Sequence, residues 1–551
     1  MATDLLEVEW QFAALDTRPV LRWLQAAAVP GFTVQPAGVK DLDDTYFDTA
    51  GWHIHRAGYT CRLRRKGGDA ELTLKSMAEA SGGIRSRRER TEPVPASVES
   101  PAAAPGPCGV AIRAMAGRAP VTPIFGLRTR RQLFTLSDEA GALAEIALDD
   151  TAIPVGEEAP VRLARVEVEV DQSAIDRARP FVDAMVAANG LGPATSSKFE
   201  SALIATGQRV IPPLDLGPLA IADDMTAAAV AFAILRKHFG IFLANEPGTR
   251  LGEDIEALHD MRVATRRLRA AMAAFRPFLT PRVLALRDEL GWVAAALGEV
   301  RDLDVQIDRM DEWREGFPEE RAHALDAIES LLHARRNTAR KRMLFALDSR
   351  RYQRLVARFT SLLRFGPPRS FAPGRVPILA VAPDLVEKRY RTVRKAGDRI
   401  SRESPPDLYH ALRIDAKKLR YALEFVGTGI YGRPAVEFST RVTAMQDVLG
   451  LHQDACVAID MLHEIADTSG RRLSPATLLA MGSISERYRT HAEDLRRQFP
   501  AVYKPIAGDD WKRLYRLLES RRPASAPPAA AAPRRPVVRR APAPGPPPHR
   551  S

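Results

Sequence analysis

The sequence predicts an α+β multidomain chain: an N-terminal antiparallel β-tunnel, meaning a closed barrel with flanking helices, followed by a duplicated α-helical bundle. Three observations predict it. Up to about residue 205, apolar and polar residues alternate between Gly/Pro-rich turns, as half-buried antiparallel strands do. From about 223 to 508 the period becomes helical, in long Ala/Leu/Arg-rich segments. Inside that helical part, two motifs recur at almost one offset.

A chain of 551 residues exceeds what one hydrophobic core organises, so two or three domains are expected. The barrel is placed at residues 1–205 and the helical domain at 223–508. Between them, 206–222 forms a linker around Ile211-Pro-Pro-Leu-Asp-Leu-Gly-Pro218. Residues 520–551, rich in Pro, Ala and Arg with little to bury, are expected to be disordered.

Cys61, Cys108 and Cys456 are scattered and odd in number, which excludes a disulfide framework and a CxxC zinc site and fits a reducing, cytoplasmic setting. Asp4, Glu7 and Glu9 stand where a signal peptide needs positive charge, and no uninterrupted apolar run is long enough for a bilayer, so no membrane association is expected. The net charge of +12 points to an anionic partner. Part of it, including Arg521, Arg522, Arg534 and Arg535, falls in the tail. Local placement therefore has to decide what the charge does.

In the first domain, period-two alternation puts Glu7 and Glu9 on one strand face and Val8, Trp10 and Phe12 on the other. The same arithmetic groups Arg62 with Arg64, Thr73 with Lys75, Glu145 with Asp149, and Glu167 with Glu169, each opposite an apolar face. Cys61–Arg65 and Glu71–Lys75 form a hairpin that turns at Gly67 and Gly68. Such strands build a closed sheet with a polar lumen and a covered outside, or the reverse. Carboxylates hold Mg²⁺ or Mn²⁺ through hard oxygens, while Arg and Lys grip phosphoryl oxygens. The mixture of signs suits phosphoanhydride hydrolysis.

Glu7-Val-Glu9, Tyr46-Phe-Asp-Thr49, Arg62-Leu-Arg64, Leu72-Thr-Leu-Lys75, Arg88-Glu89, Ala147-Leu-Asp149, Glu167-Val-Glu169 and Ser197-Lys198, taken in order, resemble CYTH domains. These are the triphosphate tunnel metalloenzymes, a family with inorganic triphosphatases, thiamine triphosphatases and some adenylate cyclases. The resemblance implies metal ligands among Glu7, Glu9, Asp149, Glu167 and Glu169, with Mg²⁺ or Mn²⁺ as cofactor. It implies catalytic roles for Glu7, Glu9 and Lys75, and phosphate binding by Arg62, Arg64, Lys75, Arg130 and Lys198. Arg130 is taken over Arg131 on strand phase. The family opens on ExExK, whereas Gln11 stands in the third position here, keeping a hydrogen-bond donor and losing a charge.

In the helical domain, His259-Asp-Met-Arg-Val-Ala-Thr-Arg-Arg-Leu-Arg269 is echoed by His410-Ala-Leu-Arg-Ile-Asp-Ala-Lys-Lys-Leu-Arg420, an offset of 151 residues (410 − 259). Leu297-Gly-Glu-Val-Arg-Asp302 and Leu449-Gly-Leu-His-Gln-Asp454 follow at 152 (449 − 297). His259, Arg262, Arg266 and Arg269 step by three or four residues and share one helix face, as do His410, Arg413, Lys417 and Arg420. Two like-charged ladders repel themselves, and a polyanion relieves that cost. The paired histidine-led basic helices resemble the CHAD domain, a duplicated helical module associated with inorganic polyphosphate, and CYTH followed by CHAD is a known arrangement.

The expectation is therefore a divalent-metal-dependent hydrolase of inorganic triphosphate or a related short phosphate chain, with a polyphosphate-binding helical domain. The alternative is a non-catalytic or weakly catalytic protein that binds polyphosphate or targets polyphosphate granules. Nucleic acid is not an expected partner, because the ladders lack interleaved aromatics for stacking. Thiamine triphosphate and nucleotides remain open as substrates. His452 is expected on the phosphate-binding surface or exposed, with Cys456 packed, and Trp52–His55 reads as a strand with two exposed histidines.

Overall fold

The computed structural model describes residues 3–26, 29–66, 68–77, 84–210, 214–315, 317–318 and 322–524. Nine strands make the first domain: β1 (Thr3–Ala14), β2 (Thr33–Thr49), β3 (Tyr59–Lys66), β4 (Asp69–Ser76), β5 (Ile84–Val94), β6 (Val121–Asp138), β7 (Gly141–Val155), β8 (Glu158–Val170) and the short β9 (Gly192–Pro193). Their order is β5-β4-β3-β2-β6-β7-β8-β1-β9, and a further β5–β1 pairing closes the first eight into an antiparallel barrel. The β3–β4 hairpin is present as expected, with Gly67 of its turn outside the described residues.

Helices decide which face of each strand looks inward. Val20 and Leu24 of α1 (Arg18–Ala26) and Phe181, Val182 and Met185 of α4 (Ile175–Asn189) bury Val8, Trp10, Phe12, Val166 and Val168 on the barrel's outside. Ile54 of α2 (His53–Arg56) and Cys108 and Ile112 of α3 (Pro107–Ala116) cover Cys61, Leu63, Leu72 and Leu74. On the inner side, Phe199 and Leu203 of α5 (Lys198–Ala205) pack against Tyr46, Phe125 and Leu127, an apolar plug beside the lumen. Burying the apolar rows outside leaves the polar rows to the lumen, which settles the choice left open by alternation.

Trp52–His55 is not a strand. The Asp48 carboxylate accepts from the backbone N–H of Thr49, Ile54 (3.0 Å) and His55 (2.8 Å), which folds the segment into α2. His53 and His55 are half-buried there, and His55 stacks on Phe199.

Ten principal helices form the second domain: α6 (Ala227–Leu251), α7 (Ile255–Ala274), α8 (Leu286–Asp308), α9 (Asp326–Asp348), α10 (Arg350–Phe365), α11 (Ile378–Gly397), α12 (Pro406–Ala422), α13 (Arg433–Ser469), α14 (Pro475–Ala507) and α15 (Asp509–Ser520). Capping residues set several starts: Thr226 before α6, Asp254 before α7, Ser349 before α10 and Ser474 before α14 each accept from a first-turn N–H. Five helices repeat as five, and the two halves meet where Ala227 N–H donates to Val376 O and Ile378 N–H donates to Met225 O. That bridge joins Thr226 to Pro377, again 151 residues apart (377 − 226).

The helical domain runs past the expected boundary at 508. Trp511, Leu514 and Leu518 of α15 enter the main core, Arg521 pairs with Asp223, and Arg522 pairs with Asp384 and Glu519. Those two arginines belong to the fold, because α15 is amphipathic and needs the bundle to cover it. Of the expected disordered tail, 525–551 lies outside the described residues, as does 211–213 of the linker. Leu216 of that linker is buried in the helical core. One helix, α6, is long and apolar enough to cross a membrane, with mean hydropathy 1.6 over its most apolar window, but 67% of that window is buried inside the domain. Arg236, Lys237 and His238 interrupt it, so no continuous apolar run appears in the sequence.

Candidate functional sites: a carboxylate–cation lumen and a basic cleft

The lumen holds a cavity of about 860 Å³, lined among others by Glu7, Glu9, Arg62, Lys75, Glu167 and Lys198. Strand register brings these together. Glu7 and Glu9 face Arg87 and Arg85 across the β1–β5 pair, and Glu9 and Gln11 face Glu169 and Glu167 across β1–β8. Lys198 enters from the first turn of α5, whose start is fixed by a Ser197–Glu200 capping box.

Two ion-pair clusters organise the interior. In the first, Lys75 contacts Glu7, Glu9 (3.5 Å) and Glu89 (3.4 Å), and Arg87 contacts Glu9. Burial alone would lower the Lys75 pKa, but Glu7 and Glu89 beside it raise it. In the second, Arg131 grips Asp149 in a fork (2.8 and 2.7 Å) and reaches Glu167 (2.7 Å), while Lys198 contacts Asp149 and Glu167 (2.9 Å). Burial would raise the Glu167 pKa, but Lys198, Arg131 and Lys75 outweigh it and hold the carboxyl well below the usual range. Gln11 joins the clusters: its Nε2 donates to Glu9 (3.0 Å) and Glu167 (3.1 Å). The amide takes the place between two carboxylates that an ammonium can also take.

Arg62 and Arg64 share the inward face of β3 as expected. Arg64 is fixed by a bidentate pair with the buried Asp44 (2.7 and 2.8 Å), and Arg62 donates to Thr73 (3.3 Å). Arg130 does not enter the lumen. It is exposed on the outer face, and Arg131 is the inward residue. The β6 run Arg128-Thr-Arg-Arg131 carries charge on both faces, so its pattern does not reveal the phase, which Thr129 pairing inward with Thr151 fixes. Asp44, Arg85, Arg87, Arg131 and Arg165 join the site without a sequence pattern that singles them out, and Glu89 is marked only by the Arg88-Glu89 motif.

The expected metal ligands divide. Asp149 is fully buried beneath Arg131 and Lys198, and Glu7, Glu9 and Glu167 are likewise held by cations. Glu169 is different: its side chain reaches solvent, yet the lumen wall partly desolvates its carboxyl, and that, then Glu7, with Glu89 and Glu145, raises its pKa against the pull of Lys75. Glu7, Glu89, Glu145 and Glu169 gather about one cation, Lys75, and carboxylates in that excess have the hard-oxygen chemistry that Mg²⁺ or Mn²⁺ needs. Among the described residues no three such groups already converge into a metal-binding set.

In the helical domain α7 packs against α12, and the two ladders face one cleft. Arg266 donates to Tyr421 across it (3.0 Å). The duplication shows in the walls: Gly298 of α8 lies against Arg262, and its counterpart Gly450 of α13 lies against Arg413. Arg262 pairs with Asp302 (2.9 Å) and Arg420 with Glu424 (3.4 Å). Among the described residues, His259, Arg266, Arg269, His410, Arg413 and Lys417 have no carboxylate within 4.0 Å. Buried Nε atoms of Arg269 and Arg413, and Nε and Nη1 of the unanticipated Arg301, have no hydrogen-bond partner. Burial, then Arg413, Arg266 and Arg420, pull the Lys417 pKa down to about 7.

His452 is neither on the cleft surface nor exposed. It is buried, stacks on Tyr409 (4.7 Å) and accepts from Arg496 (3.0 Å), because its α13 position faces α12 and α14. Cys61, Cys108 and Cys456 are free thiols.

The CYTH domain family matches residues 15–202 and the CHAD domain family matches 233–463. An uncharacterized protein of Mycobacterium tuberculosis, found in two strains, is 27% identical over 531 residues, covering 91% of this chain and 96% of its own. The chain is similar to the CHAD domain from the plant Ricinus communis (26% identity, 53% of this chain and 96% of that chain, TM-score 0.44). It is also similar to a Hippeastrum adenylyl cyclase candidate with a dominant triphosphatase activity (17% identity, 38% and 99% covered, TM-score 0.27). Strand β1, with Glu7 and Glu9, begins before the matched span and completes the barrel. The chain thus carries a CYTH domain over residues 15–202 followed by a CHAD domain over residues 233–463.

Proposed function

We propose that this chain is a cytoplasmic, divalent-metal-dependent hydrolase of inorganic triphosphate or a related short phosphate chain, and that its helical domain binds polyphosphate in the cleft. The observation that carries the proposal is the lumen's paired clusters. Lys75, Arg87, Arg131 and Lys198 rest on carboxylates through contacts that phosphoryl oxygens can replace one for one. Arg62 and Arg64, set by Thr73 and Asp44, orient the chain along β3. Tunnel enzymes of this kind are typically divalent-metal dependent. Glu7 and Glu169, with Glu89 and Glu145, are the donors suited to hold the ion, and Glu9, Asp149 and Glu167 position the cations. When bound, the metal neutralises phosphoryl charge and activates water. The chain's own cations offset the charge that develops on the phosphoryl oxygens.

Gln11 favours a second reading, in which the tunnel binds phosphate chains with little or no turnover and the protein serves polyphosphate or its granules. The amide between Glu9 and Glu167 donates hydrogen bonds without adding charge. A phosphate-release assay over tripolyphosphate, thiamine triphosphate and nucleoside triphosphates, with Mg²⁺ and with Mn²⁺, separates the readings. Metal-dependent release supports the first. Binding without release on any substrate supports the second.

A further inference from the structure

At the lumen's other end, away from Glu169, two buried arginines have no carboxylate within 4.0 Å among the described residues. Arg85 on β5 and Arg165 on β8 are 9% and 7% exposed. Each stands across the sheet from an acid, Glu9 for Arg85 and Asp149 for Arg165. Both acids are committed elsewhere: Glu9 to Arg87 and Gln11, Asp149 to Arg131 and Lys198. Glu167, next along β8, is held by Arg131, Lys198 and Gln11, and Glu200 is engaged in the α5 cap. What remains for the two guanidiniums is long and neutral. Arg85 donates to Ala194 O (3.4 Å), and Arg165 donates to Ser196 O (3.3 Å), Ser196 Oγ (3.5 Å) and Ser201 Oγ (3.4 Å). The buried Arg165 Nε has no partner. Burial pulls the Arg165 pKa below the usual guanidinium value; Glu167 opposes that pull and Arg85 adds to it.

Two buried like charges without a direct ion pair are costly to keep, and an anion that settles between them offsets the cost. The 192–201 segment crosses this end of the barrel, with Ala194 N–H donating to Gln11 O and β9 pairing with Phe12 and Ala13. Arg85 lines the bottom of the lumen, and Arg165 lies beside it with the Ser196 and Ser201 hydroxyls, which bond each other (2.9 Å).

We propose that Arg85 and Arg165, with Ser196 and Ser201, form a pocket for the terminal phosphoryl group of a linear phosphate, which enters the lumen end first. The inference rests on the phosphate-binding reading of the tunnel and adds a polarity to it. Carboxylates gather at the Glu169 end and unmatched cations at the Arg165 end, so the terminal group lodges deep while the rest of the chain lies toward the carboxylates. A free phosphate terminus becomes a requirement, and a chain esterified at both ends is excluded.

The test is calorimetric titration of inorganic tripolyphosphate, in metal-free buffer, into full-length protein. Arg262, Arg266, Arg413 and Lys417 are changed to Ala throughout, so that only the tunnel is read. In that background Arg165→Gln is expected to lose about tenfold or more in affinity, the range for a hydrogen bond to a charged group. Arg165→Lys recovers most of the loss, and the unliganded Tm of Arg165→Gln equals or exceeds that of the parent because a buried repulsion is gone. Unchanged affinity in folded Arg165→Gln overturns the proposal. So does a loss that comes with a lower unliganded Tm and is not recovered by Arg165→Lys, which marks Arg165 as a brace for the 192–201 segment. If Arg165→Gln does not fold, Arg85→Gln is read in the same way. Failure of the wild type to hydrolyse tripolyphosphate refutes the catalytic reading and leaves this titration interpretable.

Discussion

The lumen and the cleft both concentrate Arg and Lys, yet they are built on opposite electrostatic plans. In the lumen, Lys75, Arg87, Arg131 and Lys198 each rest on at least one carboxylate. In the cleft, Arg266, Arg269, Arg413 and Lys417 have no carboxylate in reach among the described residues. A self-neutralised site gives a bound phosphate only the difference between two sets of ion pairs, so it can release what it holds. A site compensated only in part, here by Asp302 on Arg262 and Glu424 on Arg420, keeps more of its field for a polyanion. Like charges at about 4 Å repel by about 4 kcal/mol at an effective dielectric of about 20. A favourable i,i+4 pair returns only about 0.5 kcal/mol. The ladders are therefore sustained by the surrounding core, and the strain they store is what a ligand relieves. Turnover suits the first plan and retention suits the second.

The sharpest way to break the comparison is to disable one site and read the other. Glu7→Gln with Glu9→Gln is expected to lower tripolyphosphate hydrolysis by about 10²-fold or more, the scale for removing a transition-state electrostatic contact. Long-chain polyphosphate affinity should stay unchanged. Hydrolysis that survives the double change places the chemistry elsewhere.

Next in size is pH, which acts on the cleft through Lys417. Its pKa of about 7 lies below the ordinary lysine value of 10.5. Between those values the unfolded chain binds a proton that the folded chain lacks, so the Lys417 contribution to stability rises with pH across that window. Polyphosphate binding returns the proton, so affinity should fall as pH rises through 7. A Lys417→Arg variant should flatten both trends. Parallel profiles for variant and wild type remove Lys417 from the cleft's titration.

How much of this was legible in the sequence depended on whether charge occupied one face of an element or both. Glu7-Val-Glu9 and Glu167-Val-Glu169 alternate with apolar residues, so their inward face could be read directly. In β5 the run Arg85-Ser-Arg-Arg-Glu-Arg90 is charged on both faces, and Arg85 and Arg87 were lost in it. The same ambiguity in β6 turned Arg130 and Arg131 around. The ladders were legible because helical spacing and duplication report the same residues twice. Ion-pair partners were not legible, since Arg131 with Glu167 and Arg64 with Asp44 depend on strands far apart in the chain. The place of His452 was hidden as well, because burial against Tyr409 comes from helix packing and not from the α13 pattern alone.

The smallest expected effect is at Gln11. A lysine there can reach both Glu9 and Glu167, as the amide does, and adds a cation beside the phosphate. Gln11→Lys should raise turnover severalfold with little change in Tm. A flat or lower rate indicates that Arg87, already on Glu9, supplies that charge.

The most direct test of the two-plan account is the salt dependence of long-chain polyphosphate binding. Wild type and a variant with Arg262, Arg266, Arg413 and Lys417 changed to Ala would be titrated at several ionic strengths. The account predicts a steep fall of log affinity with log salt for wild type. For the variant the slope should be shallower by about 3, taking roughly 0.7 per cation by analogy with single-stranded nucleic acid. Tripolyphosphate hydrolysis should be the same in both proteins. Equal slopes and equal affinities in a folded variant would contradict it, and would reduce the ladders to solvated helix faces.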